Sequence, residues 1–95
     1  MSFLTDVFSS HLNSSGVIFA GPCRIAGYQI KPGGTAGQID FYNNGSAASG
    51  DILLSVDVST NTAIISTLIP GDGIRFSNGC YVDFPSGTSI TAFYG

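Results

Sequence analysis

The stretch from residue 70 to residue 84, PGDGIRFSNGCYVDF, decides the fold class of this chain. Apolar side chains occupy alternate positions on both sides of Ser77-Asn78-Gly79, which is a strand–turn–strand pattern. A hairpin with one apolar face has to bury that face against a second layer. The stretch therefore predicts an all-β protein built from packed sheets.

The length of the turn decides which side chains share a face. In a two-residue loop, Asn78 and Gly79 have positive φ, and Asp83 falls on the apolar face. In a three-residue loop, Gly79 is left-handed in a bulge and Phe76 pairs with Cys80. Because a slip of one residue moves every side chain to the opposite face, we expect the second register. Its apolar face consists of Ile74, Phe76, Cys80, Val82 and Phe84. Its polar face consists of Arg75, Tyr81 and Asp83.

The composition indicates one small domain with an unusually uncharged surface. The chain has 95 residues, of which 43% are hydrophobic and 9% are charged, against a usual charged share of about 25%. A net charge of −3 and apolar residues in strand-like runs argue against disorder. A surface of hydroxyls and amides suits a subunit that stays in contact with other subunits. A secreted β-domain is the alternative.

Charges, apolar runs and cysteines exclude several classes of protein. The three basic residues, Arg24, Lys31 and Arg75, are far apart in sequence, which argues against a basic patch for nucleic acid. The apolar runs are too short to cross a membrane, and the N-terminus lacks the pattern of a secretory signal. Without export we expect Cys23 and Cys80 to be reduced and buried. A disulfide between them is the alternative.

Residues 1–15 differ from the rest of the chain and predict an N-terminal arm or a short amphipathic helix. Ser2 is a suitable helix cap. A helix of about ten residues is marginal alone in water, so it has to dock. It either covers a sheet edge or anchors the protein to a partner. The apolar residues at helical spacing, which we expect to be partner-anchoring, are Phe3, Leu4, Val7, Phe8 and Leu12.

Residues 16–95 predict a β-sandwich of seven to eight short strands. Turn signals recur about every dozen residues, as in antiparallel sandwiches and jelly rolls. In the strand at 37–43, Ile39 and Phe41 are expected to point inward. The segment 62–69 is apolar on both faces, so it is central in a sandwich or covered by another subunit. One face of the strand at 51–58 is expected to carry Ile52, Leu54, Val56 and Val58.

No combination of residues predicts an enzyme, a metal site or a cofactor. The single histidine, His11, lies in the N-terminal segment without an acidic neighbour. Zinc requires about four ligands, and one histidine with two distant cysteines does not supply them. The aspartates are too dispersed for a calcium loop. The glycine-rich segments at 32–37 and 71–73 lack the ending of a phosphate-binding loop.

Two tyrosines and an arginine that we expect to be exposed predict a binding surface, formed by Tyr42, Arg75 and Tyr81. Aromatic faces stack on sugars, so this surface suits a glycan. Alternatively, Tyr81 lies against Arg75 across the hairpin in a cation–π contact.

Four segments, taken in order, carry a family resemblance: Gly33–Gly37 (GGTAG), Phe41–Ala47 (FYNNGSA), Gly73–Phe76 (GIRF) and Gly79–Val82 (GCYV). They resemble small β-rich virion structural proteins of tailed bacteriophages, of the capsid decoration, cement or head and tail appendage type. The likeness spans about residues 16–94. It implies a compact sandwich or jelly roll that follows a short N-terminal segment, often as a trimer.

The resemblance implies a non-enzymatic function in the virion. We expect a capsid decoration or cement protein that is assembled in the host cytoplasm and attached to the head as a homotrimer. Its partners are then copies of itself and the major capsid protein or another virion protein, with no nucleic acid and no membrane. The alternative is a small tail or head-fibre knob that binds a host-surface glycan.

Overall fold

The computed structural model describes residues 7–95, and these residues form strands and no helix. The nine strands of this part of the chain are β1 (Phe8–Leu12), β2 (Gly16–Phe19), β3 (Cys23–Lys31), β4 (Gly37–Tyr42), β5 (Ile52–Val58), β6 (Ile65–Leu68), β7 (Ile74–Phe76), β8 (Cys80–Asp83) and β9 (Ser89–Tyr94).

The strands form two antiparallel sheets. The five-stranded sheet has the order β1-β9-β3-β6, and β7 also pairs with β3. The four-stranded sheet has the order β2-β8-β4-β5. β6 pairs with residues 27–30 of β3 and β7 pairs with residues 23–25, so β6 and β7 lie end to end along one side of β3. The predicted all-β class and the sandwich-like arrangement are confirmed.

The core contains the inward-facing side chains of both sheets. Ile39 and Phe41 of β4 are fully buried, as their alternation predicts. Tyr28 of the five-stranded sheet meets Phe41 of the other, with ring centroids 6.0 Å apart. Burial of each such side chain stabilises the fold by about 1.5–3 kcal/mol. The remaining fully buried core residues are Ile25, Ile30, Phe76, Cys80, Val82, Ile90 and Ala92.

The predicted hairpin at residues 74–84 is wrong, although its alternation is right. β7 pairs with β3, where Phe76 is opposite Cys23, whereas β8 lies between β2 and β4 in the other sheet. Gly79 has a φ of +123°, and the chain crosses here from one sheet to the other. Phe76 and Cys80 are buried all the same. A crossover places the apolar faces of two sheets against each other, and this buries the same side chains as a hairpin packed on a second layer.

The predicted N-terminal helix is wrong for the residues that the structure describes. Phe8–Leu12 is the edge strand β1, which pairs with β9 from Phe8 opposite Tyr94 to Leu12 opposite Ile90. Because a short isolated helix is marginal in water, backbone pairing with β9 is the more stable arrangement. The alternative of an arm that covers a sheet edge agrees with this strand. Phe3 and Leu4 lie outside the described residues.

Apolar side chains on the edge strands are exposed, and this differs from the positions that the sequence predicts for them. β6 is at the edge of its sheet and not central, and its Leu68 is 82% exposed. Ile64, just before β6, is 60% exposed. On β5, Leu54 packs against the core, but Ile52 is exposed opposite Tyr42. A register shift between Phe41 and Tyr42 turns this end of β5 away from the core.

Candidate interaction surfaces

The reactive side chains of the described residues are dispersed. His11 is exposed, and its Nδ1 lies 2.7 Å from the Thr91 hydroxyl. Among residues 7–95, no three His, Cys or Asp side chains are grouped so that they could hold a metal ion.

The two cysteines are buried, unbonded thiols at the interface between the sheets. Cys23 begins β3 and Cys80 begins β8. Burial raises the pKa of the Cys23 thiol. Burial, together with a smaller effect of charge on Cys23, raises the pKa of Cys80 to about 12. Thiolate is the reactive form of cysteine, so Cys80 is a poor nucleophile at neutral pH.

The predicted anchoring residues are divided between solvent and core. Val7 and Phe8 are each 58% exposed, whereas Leu12 packs against the core. Phe8 lies beside Tyr94, with ring centroids 5.8 Å apart, and Phe19 lies on the same tyrosine at 5.3 Å. We call Phe8, Phe19 and Tyr94 the aromatic cluster. It lines an open cavity of about 200 Å³ at the β1 end of the sandwich.

Sequence reasoning missed two members of the aromatic cluster. Phe19 ends β2 and Tyr94 ends β9, so they come from different sheets and are 75 positions apart. The pairing of β1 with β9 places Phe8 opposite Tyr94. The only sequence signal for the cluster is that each residue is an aromatic at a strand end.

The structure does not bring Tyr42, Arg75 and Tyr81 together into the predicted surface. Tyr42 and Tyr81 are direct partners on β4 and β8, on the outer face of the four-stranded sheet. Arg75 is on the outer face of the other sheet, opposite Arg24. The expected cation–π contact between Arg75 and Tyr81 is therefore wrong, because the hairpin that would form it does not exist. The tyrosine pair remains, half-buried beside Val17.

The outer faces of the two sheets carry opposite charges. Arg24 and Arg75 are opposite each other on β3 and β7, and both are exposed. Lys31 at the end of β3 borders the same outer surface as Gln29 and Thr91. We call this outer surface of the five-stranded sheet the basic face. The structure pairs two of the three basic residues, Arg24 and Arg75, whereas Lys31 is at the opposite end of β3.

The corresponding surface of the four-stranded sheet is acidic. Asp40 of β4 is opposite Asp83 of β8. Ser55 donates a hydrogen bond to Asp40 at 2.8 Å. Asp57 of β5 is opposite Gln38, in the next outward row. We call this surface the acidic face; its carboxylates belong to Asp40, Asp57 and Asp83.

Comparison with protein-family models, with characterised proteins and with solved structures gave no significant match. In the part of the chain that the structure describes, no helix has the length and apolar character needed to cross a membrane.

Proposed function

We propose that this chain is a non-enzymatic structural protein of a tailed-phage virion, most specifically a capsid decoration protein that binds the head as a homotrimer. The observation that carries this proposal is the exposure of large apolar side chains at opposite edges of the sandwich. Phe8 and Phe19 are exposed near β1 and β2, and Leu68 is exposed on β6. Large exposed apolar areas on small proteins are typical of association surfaces.

The strand order supports the jelly-roll form of this proposal. When β6 and β7 are counted as one interrupted strand, the sandwich has eight strands. One sheet then contains the first, eighth, third and sixth strands, and the other contains the second, seventh, fourth and fifth. This is the order of a jelly roll, an architecture that viral capsid proteins use.

The aromatic cluster and Val7 supply the anchoring surface in this proposal. Full burial of an apolar side chain is worth about 1.5–3 kcal/mol. Three copies of a weak contact bind far more tightly than one, provided that all three sites are reachable together. The major capsid protein or another virion protein then needs only a shallow apolar patch beside each subunit.

The location in the virion is tested on particles of the phage whose genome encodes this chain. Particles purified by density gradient are analysed by quantitative mass spectrometry and by immunogold labelling with antibody against the recombinant protein. We expect many copies per particle and gold on the head. Absence of the chain from purified particles contradicts the proposal, and gold on the tail tip supports the fibre-knob alternative.

The anchoring role is tested by occupancy of particles that lack the protein. Phe8→Ala removes the exposed ring of the aromatic cluster, and Leu53→Ala, which shortens an exposed apolar side chain of β5, is the control. We expect Phe8→Ala to lower occupancy at least tenfold and Leu53→Ala to leave it unchanged. Equal occupancy of Phe8→Ala and wild type means that this end of the sandwich is not the anchor.

A glycan-binding knob is the second candidate, and the Tyr42–Tyr81 pair is the observation that favours it. Adjacent tyrosines on an outer sheet face offer stacking surfaces to a sugar ring. The test is a glycan array with wild type, Tyr42→Ala and Tyr81→Ala, with Gln29→Ala on the opposite sheet as the control. Binding that only the tyrosine variants lose favours the knob.

A further inference from the structure

The segregation of charge between the two faces is stronger than the composition suggests. All three basic residues of the chain lie on the basic face. Asp72, in the loop before β7, borders the same surface as Arg24 and reduces its net charge from +3 to +2. His11 and Thr91 are its other polar neighbours at the β1 side.

In the part of the chain that the structure describes, no lysine or arginine on the acidic face balances its three carboxylates, because Arg24, Lys31 and Arg75 are all on the other sheet. Ser15 donates a hydrogen bond to Asp83 at 2.8 Å, and Ser55 donates one to Asp40. Two of the three carboxylates thus have neutral hydroxyl groups as their hydrogen-bond donors.

Like charges are direct register partners on both faces. Arg24 is opposite Arg75, and Asp40 is opposite Asp83. Like charges at directly opposite positions of a sheet are destabilising within one chain. A surface of opposite charge from outside the chain relieves both repulsions, and the chain itself carries each such surface.

We propose that copies of this chain associate head to tail, with the basic face of one copy on the acidic face of the next. This inference rests on the proposed self-association and names one contact between copies. Because the two faces differ, the contact is heterologous. The faces are on opposite sides of the sandwich, so this contact repeats as an open stack and is additional to the contact that closes the proposed trimer.

Apolar side chains on both faces provide the area to be buried. On the basic face, Gly27 lies between Phe93 of β9 and Leu68 of β6, and Leu68 lies close over the glycine. On the acidic face, one outward row contains Val17, Tyr81, Tyr42 and Ile52. Apolar burial supplies affinity, whereas complementary charge sets orientation and excludes contacts between like faces.

The test reverses the charge of each face in the full-length chain. The basic-face variant is Arg24→Glu with Arg75→Glu, and the acidic-face variant is Asp40→Lys with Asp57→Lys. All four side chains are on outer faces; Arg24, Arg75 and Asp57 are exposed and Asp40 is half-buried. Sedimentation equilibrium measures self-association at low salt, and we expect each variant to raise the dissociation constant about a hundredfold, since like-charge contacts cost several kcal/mol.

Combining the two variants in one chain distinguishes an effect of complementary faces on association from an effect of net charge. The basic-face variant changes the net charge from −3 to −7 and the acidic-face variant changes it to +1, because each reversal shifts the charge by two. The combined variant has the wild-type net charge of −3, and the sign of the net charge on each face is reversed. We expect it to recover a dissociation constant within about tenfold of wild type.

The control is Asp51→Lys, which reverses an exposed charge just before β5 and outside the opposed pairs. We expect wild-type association for this variant, and circular dichroism verifies that all variants are folded. Stronger association of the acidic-face variant, which is nearly neutral, overturns the inference, as does failure of the combined variant to recover. If wild type is monomeric at every concentration, the inference is also overturned. Virion labelling then decides separately whether the proposed function stands.

Discussion

The side chain of Asn43 accepts a hydrogen bond from the backbone N–H of Asn78 at 2.8 Å. The same side chain donates to the Ser77 hydroxyl at 3.1 Å. Asn43 follows β4, and residues 77–79 connect β7 in one sheet to β8 in the other. The connection that carries the chain between the sheets is thus held by the end of a neighbouring strand, and its most restricted position is Gly79.

Replacement of Gly79 by alanine is expected to destabilise the fold by about 3 kcal/mol or more. Its φ of +123° disfavours any residue with a side chain, and a Cβ there would be 2.7 Å from Gly45 Cα and 2.9 Å from the Phe19 carbonyl oxygen. Unfavourable backbone conformations alone cost about 1–3 kcal/mol. Gly71→Ala is the matched control, because its φ is +71° but no atom lies within 4 Å of the added Cβ.

Urea unfolding of both glycine variants gives the comparison. Gly71→Ala is expected to cost about 1–2 kcal/mol, the usual value for a left-handed residue. Equal losses in the two variants would show that the close approach of Gly79 to Gly45 contributes nothing.

The fold class was predictable because alternation is a local property of the chain. Ile39 with Phe41, and Phe76 with Cys80, face the core whichever strands they pair with. The partner of β7 was not predictable, because a hairpin and a crossover produce the same alternation. The N-terminal strand was mistaken for a helix because residues four apart, such as Phe8 and Leu12, share a face in both structures.

The grouping of charges on the two faces was not predicted from the sequence, for a related reason. Arg24 and Lys31 are seven positions apart, so strict alternation places them on opposite faces of β3. The register shift between Ile25 and Gly27 adds one residue and returns Lys31 to the face of Arg24. Arg75 joins them only through the pairing of β7 with β3. A glycine inside a strand, here Gly27, is a sequence signal for such a bulge, whereas the long-range pairing leaves no mark in a single sequence.

Thr88→Val is expected to stabilise the protein by about 1 kcal/mol. The Thr88 side chain is 1% exposed, and its hydroxyl has no hydrogen-bond partner among the described residues. A buried hydroxyl without a partner costs about 1–3 kcal/mol, and valine has nearly the same shape without the polar atom.

Thr88→Ser is the control, since it keeps the hydroxyl and removes the methyl group. It is expected to lower stability by roughly 1 kcal/mol through lost apolar burial. Thermal or urea unfolding measures both variants. A loss of stability in Thr88→Val would mean that the hydroxyl makes a favourable contact in solution.

Stability is expected to fall at alkaline pH because of Cys80. Its pKa rises from 9.0 to about 12 on burial. Between these values the unfolded chain has lost the thiol proton and the folded chain retains it, so rising pH favours unfolding. The contribution of this group is fully present below pH 9 and is lost as pH rises toward 12, with a slope of about 1.4 kcal/mol per pH unit.

Cys80→Ala removes this titration and leaves the tyrosines and lysine unchanged. Its free energy of unfolding is expected to be lower than that of wild type at pH 7, because a small cavity is formed. Above pH 9 its slope is expected to be shallower than the wild-type slope. Parallel curves in urea titrations from pH 8 to pH 11 would show that the Cys80 thiol is ionised as easily in the folded state as in the unfolded state.

Association of copies is the property on which both the decoration function and the opposed faces depend, and native mass measures it directly. Light scattering on the full chain, at low salt and over a hundredfold range of concentration, is the experiment. We predict a mass of at least about three times the 9.8 kDa chain mass, with a further rise at high concentration as copies stack. A mass of one chain at every concentration would contradict self-assembly and leave a monomer whose exposed apolar edges serve a different partner.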